Sequence, residues 1–310
     1  MKKTINVVIP VYNEEKVLEE LIKRLHKVAE GENDYCFEFI MVENGSNDSS
    51  YSMLRRMSQK DERIKIIRLS RNFGCDGAIT AGLKYAKGDA ACIMNADLQD
   101  PPELMHEFIR AWQAGHDIVY GVIRKRHGEM LLRKVLSSMF YIVINTLTRG
   151  LFPRNASDFR LISRKVISAV NSLRETNRYV RGIVAWTGFS HIGVEFERPP
   201  RFAGKSKSNM FAIFKVAMNG IFSFSYLPLR MTTFLGIMMS TVSFLMMIGY
   251  IIAYFIYGRT VPGHTSIIVT MLFLFGVLFF VLGIIGEYLA RVYDEVKGRP
   301  NYIVSETIGI

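Results

Sequence analysis

Residues 5–122 alternate short apolar runs with amphipathic segments of helical length. In the first amphipathic segment, Val17, Leu18, Leu21, Ile22 and Leu25 recur at the spacing of one helix face. The pattern predicts strands at Ile5–Val11, Phe37–Val42, Ile64–Leu69, Ala90–Met94 and Ile118–Val122, and helices at Glu15–Ala29, Ser49–Gln59, Ala78–Ala86 and Glu103–Ala114. Strands that alternate with helices of this length favour an α/β fold with a doubly wound, mainly parallel sheet.

Two later runs, Met231–Tyr257 and Thr265–Gly286, contain no charged residue. At about 1.5 Å per residue, each exceeds the roughly 30 Å of a bilayer's hydrocarbon core. Two buried core helices are the alternative, although uncharged runs of this length make it weak. We therefore predict two transmembrane helices, at about 231–257 and 265–289, joined by a short loop into a hairpin.

Basic residues next to the two runs predict the orientation of this hairpin. They are Lys205, Lys207, Lys215 and Arg230 before the first run and Arg291, Lys297 and Arg299 after the second, whereas the connecting loop has only Arg259. The positive-inside rule then places both termini in the cytoplasm. Because Met1–Thr4 leads into a strand, no export signal is predicted. The expected location is the inner (plasma) membrane.

The chain changes character between the alternating region and the first apolar run. Basic residues flank an apolar helical stretch around Leu131–Phe140, and Ser206–Leu227 forms a second, phenylalanine-rich helix candidate. We interpret the second stretch as an interfacial helix on the bilayer, with a lid or a dimer surface as the alternative. The predicted organisation is a cytoplasmic α/β domain at 1–205, a juxtamembrane helix at 206–230, the two spans at 231–289 and a cytoplasmic tail at 290–310.

Composition narrows the classes of partner. The 310 residues carry a net charge of +11, which suits a protein that lies against anionic lipid and handles anionic substrates. Nucleic acid is the competing explanation for this charge, but no segment resembles a nucleic-acid module, so no nucleic acid partner is predicted. The cysteines Cys36, Cys75 and Cys92 are scattered and odd in number, which indicates reduced, packed cytosolic thiols.

The richest candidate chemistry is the run Asn95–Glu103, which follows the predicted strand Ala90–Met94. Its carboxylate and amide oxygens are hard ligands for a divalent cation, and such a cation can hold a diphosphate. Ligands of open α/β sheets also bind beyond the carboxyl ends of strands. The alternative is structural, because Asp100 could cap a helix that begins at Pro101 or Pro102.

Four polar segments follow four predicted strands, and each of them alone could be a turn or a helix cap. They are Pro10–Glu14, Glu43–Asp48, Arg71–Gly74 and the run that contains Asp97. Together they supply an aromatic ring, hydrogen-bonding groups for a base, a cation and metal ligands at one edge of the sheet.

These motifs resemble those of inverting glycosyltransferases with the GT-A fold that load a sugar onto a polyprenyl phosphate, such as dolichol-phosphate mannose synthases and bactoprenol glucosyltransferases. The matching segments are Pro10–Glu14, Gly45-Ser46 with Asp48, Arg71–Gly74, Asp97–Pro102, Ser157–Leu161 and Arg201–Lys207. The resemblance covers nearly the whole chain, and the two-span hairpin looks like the bactoprenol type.

The resemblance implies transfer of a sugar, with UDP-glucose as the expected donor, to undecaprenyl phosphate at the cytoplasmic face, assisted by Mg²⁺ or Mn²⁺. It also permits a homotetramer. The implied catalytic residues are Asp158 and Arg160, the nucleotide-sugar residues Pro10, Tyr12, Asn13, Glu14, Glu43, Asn44, Arg71, Asn95, Asp97, Arg201 and Lys207, the acceptor-phosphate residues Arg124, Arg126, Arg133, Ser137, Arg198 and Ser206, and the metal ligands Asn95, Asp97 and Gln99. An Asp158–Arg160 surface ion pair is the alternative for the first two.

Two departures from the family pattern leave alternatives open. Glu43-Asn44 stands where the family usually has paired aspartates, and Asn95 stands where it usually has an aspartate. An amide keeps an oxygen ligand but removes a negative charge, which bears on the donor base and on metal affinity. The competing functions are the same reaction with a modified sugar, such as formamido-arabinose or an N-acetylhexosamine, and a catalytically silent scaffold that binds lipid or nucleotide.

Overall fold

The computed structural model describes residues 2–126, 156–176, 178–199, 202, 227–257 and 263–310. The chain divides into two compact units, one formed by residues 1–220 with 299–310 and the other by residues 221–298. The helix predicted around Leu131–Phe140, the interfacial helix at Ser206–Leu227 and most of the hairpin loop lie outside the described residues.

The first unit contains eight strands and six helices among its described residues. The strands are β1 (Lys3–Val11), β2 (Tyr35–Glu43), β3 (Ile64–Leu69), β4 (Ala90–Ile93), β5 (Ile118–Arg126), β6 (Ala156–Ser163), β7 (His191–Arg198) and β8 (Val304–Ile308). The helices are α1 (Leu18–Gly31), α2 (Ser50–Lys60), α3 (Gly74–Tyr85), α4 (Met105–Gln113), α5 (Arg164–Ser172) and α6 (Val180–Trp186), and a 3₁₀ turn at Pro102–Leu104 precedes α4.

The eight strands form one sheet in the order β7-β5-β6-β4-β1-β2-β3-β8. Four of the seven described strand pairs are parallel, as the sequence pattern predicts. The three antiparallel pairs all involve β6 or β8, so the sheet is mixed. Neither of these two strands was predicted from the sequence pattern, because each is a single short strand outside the regular alternation.

Helices cover both faces of the sheet, which explains the continuous apolar run of the first strand. In β1, Ile5, Val7, Val8 and Ile9 are all fully buried. Helix α1 contributes Leu18, Leu21 and Leu25 to the same core as Ile5, Val7 and Ile9. On the other face α3 packs closely because its residues are small: a methyl group on Gly82 would lie 2.3 Å from Val8 Cγ1.

The C-terminal residues differ from the predicted tail at 290–310. Residues up to Lys297 continue the last helix, and β8 pairs antiparallel with the edge of β3. The Tyr51 hydroxyl donates to Glu306 at 2.5 Å, and the Ser70 amide donates to the Ile303 carbonyl at 2.9 Å. The end of the chain is therefore part of the sheet.

The second unit consists of α7 (Leu227–Tyr257) and α8 (His264–Lys297). Large apolar side chains are exposed along both helices, for example Phe234 at 68%, Phe255 at 81% and Leu272 at 68%. By length and composition, both helices can cross a membrane. Helix α8 runs beyond the predicted span because Arg291 pairs with Glu287 one turn earlier, at 3.0 Å, and the helix ends at Gly298 in the left-handed conformation.

The thiols only partly match the expectation of packed cysteines. Cys92 is buried in β4, whereas Cys36 and Cys75 are exposed. The expectation was therefore wrong for two of the three positions. In β2, Cys36 occupies an outward-facing position near the start of the strand, where the core does not cover it.

Candidate active site

The strand directions bring the predicted segments to one edge of the sheet. Strands β1, β2 and β4 are parallel, so Tyr12, Asn44 and Asn95 follow their carboxyl ends at the same edge. Strand β6 runs antiparallel to β4, with Arg160 opposite Ile93, so the residues just before Arg160 reach this edge as well. Strands β5 and β7 end there too, at Arg126 and Arg198.

The loop after β4 is closed by its own side chains. The Asp97 carboxylate accepts the Gln99 amide at 3.2 Å, and Leu98 has a positive φ of 57°. The Asn95 side-chain nitrogen donates to Asp100 at 3.1 Å, while the Gln99 side-chain nitrogen donates to the Pro199 carbonyl at 3.5 Å. Both amide nitrogens therefore bind acceptors of the protein, so a cation would meet these residues through their oxygens, of which Asn95 Oδ1 also accepts the Cys75 thiol at 3.9 Å.

The oxygen atoms of the loop after β4 fit a cation site that a bound diphosphate completes. No group of three His, Cys, Asp or Glu side chains suited to a metal occurs within the described ranges. The loop offers one carboxylate, on Asp97, together with the amide oxygens of Asn95 and Gln99. Mg²⁺ is commonly held by one or two carboxylates plus substrate phosphates and water. The residues thus fit a cation whose coordination is completed by a diphosphate.

Asp158, at the start of β6, is held by two arginines. The Arg181 guanidinium on α6 contacts Asp158 Oδ1 through Nε at 2.8 Å and through Nη2 at 2.6 Å. Arg160 Nη2 lies 4.0 Å from the same oxygen. Desolvation by itself would raise the pKa of Asp158, but the charges of Arg181 and Arg160 and the Arg181 hydrogen bond outweigh it, so the pKa lies below its ordinary value.

Arg160 is buried and its guanidinium bonds to the backbone around Asp158. Only 6% of its side chain is exposed, and its guanidinium donates to the carbonyls of Asp158, Ser157 and Arg181. Burial lowers its pKa to about 10, with Asp158 opposing the shift, so Arg160 remains charged at neutral pH. Because Arg160 is buried, its pair with Asp158 is not a surface ion pair, and its catalytic role stays a prediction.

Glu43 and Asn44 make their contacts inside the protein. Glu43 is fully buried, accepts the Ser46 amide at 2.5 Å and lies 3.4 Å from Arg68. The Asn44 side chain donates to Asn72 Oδ1 at 3.3 Å and to the Gly74 carbonyl at 3.0 Å, and accepts the Phe73 amide at 2.9 Å. In the structure, Asn44 therefore holds the 72–74 loop, and its contact with a nucleotide stays a prediction.

Replacing Asn44 by aspartate, the residue typical of the resembled family, is expected to destabilise this protein by about 1–3 kcal/mol. A carboxylate cannot donate to Asn72 Oδ1 or the Gly74 carbonyl, so two acceptors would face an anion. Thermal unfolding in detergent measures the effect. Asn47→Asp makes the same charge change on an exposed side chain nearby and serves as the control. Equal stability of the two variants would contradict the expectation.

The remaining residues of the first two loops are half-buried or exposed. The Asn13 amide donates to Ser46 Oγ at 3.1 Å, its side-chain oxygen accepts the Asn47 amide at 2.9 Å, and its φ is 56°. The Glu14 amide donates to Ser50 Oγ at 2.9 Å. Pro10 and Tyr12 are half-buried. The exposed Arg71 lies with its guanidinium 4.0 Å from the Phe73 ring centroid.

Of the residues predicted to bind the acceptor phosphate, Arg124 and Arg198 have described side chains, on the neighbouring strands β5 and β7. Arg124 is 69% exposed and lies 3.8 Å from Glu195. Arg198 is 26% exposed and lies 3.6 Å from the buried Asp100. For Arg126 the backbone in β5 is described but the side chain is not. Arg133, Ser137, Arg201, Ser206 and Lys207 lie outside the described residues, so their parts stay predictions.

Two charged residues near the site, Arg181 and Asp76, belong to none of the segments predicted from the sequence. Arg181 lies on the short helix α6 outside any recognisable motif, and its contact with Asp158 is what places it near the site. Asp76, on α3, accepts the Val180 amide at 3.0 Å, and burial raises its pKa to about 6. Asp100 lies in the predicted oxygen-rich run, with a helix cap as the alternative; the 3₁₀ turn at Pro102 has no side-chain cap, and Asp100 bonds elsewhere.

Comparison with known proteins identifies relatives along most of the chain. Residues 6–170 match the family model described as Glycosyl transferase family 2. The chain is 44% identical over 306 residues to an uncharacterized glycosyltransferase of Synechocystis sp., covering 99% of this chain and 96% of the relative. It is 36% identical over 303 residues to a prophage-derived bactoprenol glucosyl transferase of Shigella flexneri, covering 98% of each.

A solved structure shares the fold. Glucosyl-3-phosphoglycerate synthase of Mycobacterium tuberculosis, crystallised with Mn²⁺, UDP and phosphoglyceric acid, matches with a TM-score of 0.53 at 17% identity. The match covers 71% of this chain and 76% of that protein. At this identity the likeness concerns the fold alone.

Proposed function

Since the chain belongs to glycosyltransferase family 2, we propose that it transfers a sugar from a nucleoside diphosphate sugar to a polyprenyl phosphate. The proposed donor is UDP-glucose, the acceptor is undecaprenyl phosphate, and the reaction inverts the anomeric configuration. The relatives of Shigella flexneri and Shigella phage SfII that carry the name bactoprenol glucosyl transferase support this choice of sugar and acceptor.

The observation that carries the proposal is the meeting of two dissimilar groups at one edge of the sheet. The Asp97 loop follows β4 and provides oxygen ligands. Asp158 lies near the start of the neighbouring strand β6, where Arg181 of α6 binds it. Oxygen ligands suit a diphosphate-bound cation, and a fixed ion pair next to them suits the reacting phosphate and sugar.

In the proposed reaction, an oxygen of the acceptor phosphate forms a bond with the anomeric carbon. The bond from that carbon to the donor diphosphate breaks, and UDP leaves with the electron pair. A monoalkyl phosphate has a second pKa near 6 and is largely a dianion at neutral pH, so the attack requires little proton abstraction. A strong general base is therefore dispensable, and positioning supplies most of the catalysis.

The state of Asp158 agrees with this requirement. A carboxylate whose pKa is held low by Arg181 and Arg160 is a poor base but a stable anion. We propose that Asp158 and Arg181 together orient the acceptor phosphate and the sugar. A divalent cation held by Asp97, Gln99 and Asn95 would neutralise the charge that develops on the leaving diphosphate.

The two apolar helices give the acceptor a place to meet the donor. A polyprenyl tail stays in the bilayer, whereas a nucleotide sugar stays in water. We propose that α7 and α8 span the inner membrane as a hairpin, with the catalytic unit and both termini in the cytoplasm. The basic residues on either side of the hairpin support this orientation.

The orientation predicts which thiols an impermeant maleimide reaches in right-side-out membrane vesicles. A Thr260→Cys variant should be labelled there, because the sequence predicts that residue 260 belongs to the hairpin loop. The exposed native thiol of Cys36 should react only after detergent is added, which makes it the internal control. If Cys36 were labelled in sealed vesicles and residue 260 were protected, the proposed orientation would be wrong.

The function itself is tested by lipid-phase transfer of radiolabelled sugar. Purified full-length protein is incubated with undecaprenyl phosphate and a panel of nucleotide sugars, with Mg²⁺, Mn²⁺ or EDTA. We expect label from UDP-glucose in the lipid phase and its loss in EDTA. Label from a different donor would replace the proposed sugar, and transfer in EDTA would refute metal assistance. No transfer from any donor would refute the enzymatic proposal in favour of a scaffold.

A further inference from the structure

Asp100 is a fully buried carboxylate at the centre of the proposed site. A charge inside a protein is costly unless partners satisfy it. Its Oδ2 accepts the backbone amide of Asn95 at 3.2 Å and the Asn95 side-chain nitrogen at 3.1 Å. Its Oδ1 accepts the Ser157 hydroxyl at 3.2 Å and lies 3.6 Å from Arg198.

These partners belong to three different parts of the site. Asn95 begins the loop that carries Asp97, Ser157 directly precedes Asp158, and Arg198 ends β7 next to Pro199, whose carbonyl accepts Gln99. One carboxylate therefore ties the oxygen-ligand loop to the strand of Asp158 and to the strand end that contacts Gln99.

The contact with Asn95 also decides which atom of that side chain is available. Because Nδ2 donates to Asp100, Oδ1 points away from that carboxylate and accepts the thiol of Cys75 at 3.9 Å. Of these two contacts, the one with Asp100 involves a charged acceptor at hydrogen-bond distance and is the stronger constraint on the amide.

We propose that Asp100 is a positioning residue that orients Asn95 Oδ1 and the Asp97 loop for the diphosphate-bound cation. The inference rests on the proposed function, in that the cation and the diphosphate belong to it. The carboxylate–amide hydrogen bond pairs one acceptor with one donor, whereas two carboxylates at this spacing would place anions 3.1 Å apart.

The test measures Mn²⁺ binding to the purified full-length protein, with and without UDP, from the electron paramagnetic resonance signal of free Mn²⁺. We expect Asp100→Asn to weaken Mn²⁺ binding by about 10- to 100-fold, as for other residues that orient metal ligands. Exchanging the two groups in the double variant Asn95→Asp with Asp100→Asn restores one donor facing one acceptor and should return the affinity to within about 3-fold of wild type. The single variant Asn95→Asp should lower thermal stability, which the exchange also restores.

Asp117 provides the matched control at the other end of the same strands. Its carboxylate accepts the hydroxyls of Ser163 at 2.8 Å and Ser190 at 3.2 Å, which join the end of β6 to the start of β7. Asp117→Asn should lower stability without changing Mn²⁺ affinity. If Asp100→Asn does not fold, Ser157→Ala removes one hydrogen bond to Asp100 without changing charge and should weaken Mn²⁺ binding to a smaller extent.

The outcomes separate this inference from the proposed function. Unchanged Mn²⁺ affinity in Asp100→Asn, or an exchange variant as weak as the single variant, would overturn the positioning role. Wild-type protein that binds Mn²⁺ with UDP but transfers no sugar would refute the proposed function and leave the inference standing. Wild-type protein that binds no Mn²⁺ under either condition would overturn the inference and metal assistance, while the transfer assay would still decide the proposed function.

Discussion

Replacing Asp97 by asparagine is expected to lower sugar transfer by roughly 10²- to 10³-fold. Asp97 is the single carboxylate that the β4 loop offers to a cation, and losing several kcal/mol of charge stabilisation at the leaving diphosphate corresponds to this factor. The fold should persist, because an asparagine oxygen can still accept the Gln99 amide that Asp97 accepts at 3.2 Å.

The measurement is the initial rate of transfer from UDP-glucose to undecaprenyl phosphate over a range of Mg²⁺ or Mn²⁺ concentrations. Asp89→Asn is the matched control, because this exposed carboxylate precedes the same strand at the opposite edge and accepts the Thr4 amide at 2.7 Å. The control should retain wild-type activity. Full activity of Asp97→Asn at low metal concentration would show that Asp97 is not a ligand.

The second large effect is expected for Arg181→Gln, with a loss of about 10- to 100-fold in kcat. A hydrogen bond between charged groups contributes about 1.5–3 kcal/mol, and this variant removes the two closest contacts of Asp158. Arg181→Lys should recover part of the loss, because it keeps the charge but not the paired nitrogens.

The pH dependence distinguishes this role from a merely structural one. Arg181 opposes the effect of desolvation and keeps the pKa of Asp158 below its ordinary value, so the wild-type carboxylate stays ionised at acidic pH. In Arg181→Gln the pKa should rise, and Asp158 should take up a proton as the pH falls through the new value. The ratio of variant to wild-type activity should therefore decline towards pH 5 and recover towards pH 8.

Arg63→Gln is the control for the arginine substitution. Arg63 binds Asp61 through Nε at 3.0 Å and Nη2 at 2.9 Å, a comparable pair after α2 and away from the candidate site. Its loss should leave the pH profile of transfer unchanged. An activity ratio for Arg181→Gln that does not vary with pH, with thermal stability lowered as in Arg63→Gln, would reduce Arg181 to a structural role.

Much of the sheet could be predicted because its signals are local. The strand Ile64–Leu69 agrees residue for residue with the predicted range, and β1, β2 and β4 differ from it by one to three residues at their ends. By contrast, β6, β7 and β8 were not predicted. Buried and exposed positions alternate only weakly along β7, where Phe196 is the one buried residue. Hydrophobic periodicity therefore gives little indication of this strand.

The candidate site divides in a similar way. Asp97 and Gln99 stand out in sequence because carboxylates and amides cluster after an apolar strand, whereas Asp158 was predicted only from the family resemblance. Arg181 does not stand out, since its partner Asp158 is 23 residues away and nothing near it in sequence marks a site. Asn44 was predicted to contact the nucleotide, yet its described hydrogen bonds hold the 72–74 loop, because burial turns its polar atoms towards the protein.

The sequence by itself determined the alternating α/β pattern, the two long apolar helices and the oxygen-rich loop after β4, because each depends on residues close together in the chain. Only the tertiary structure decided that β6 runs antiparallel to β4, and that direction brings Ser157 and Asp158 beside the Asp97 loop. It also decided that Asp100 is an interior acceptor and not a helix cap. A carboxylate's role depends on which donors the folded chain brings to it, and those donors come from distant segments.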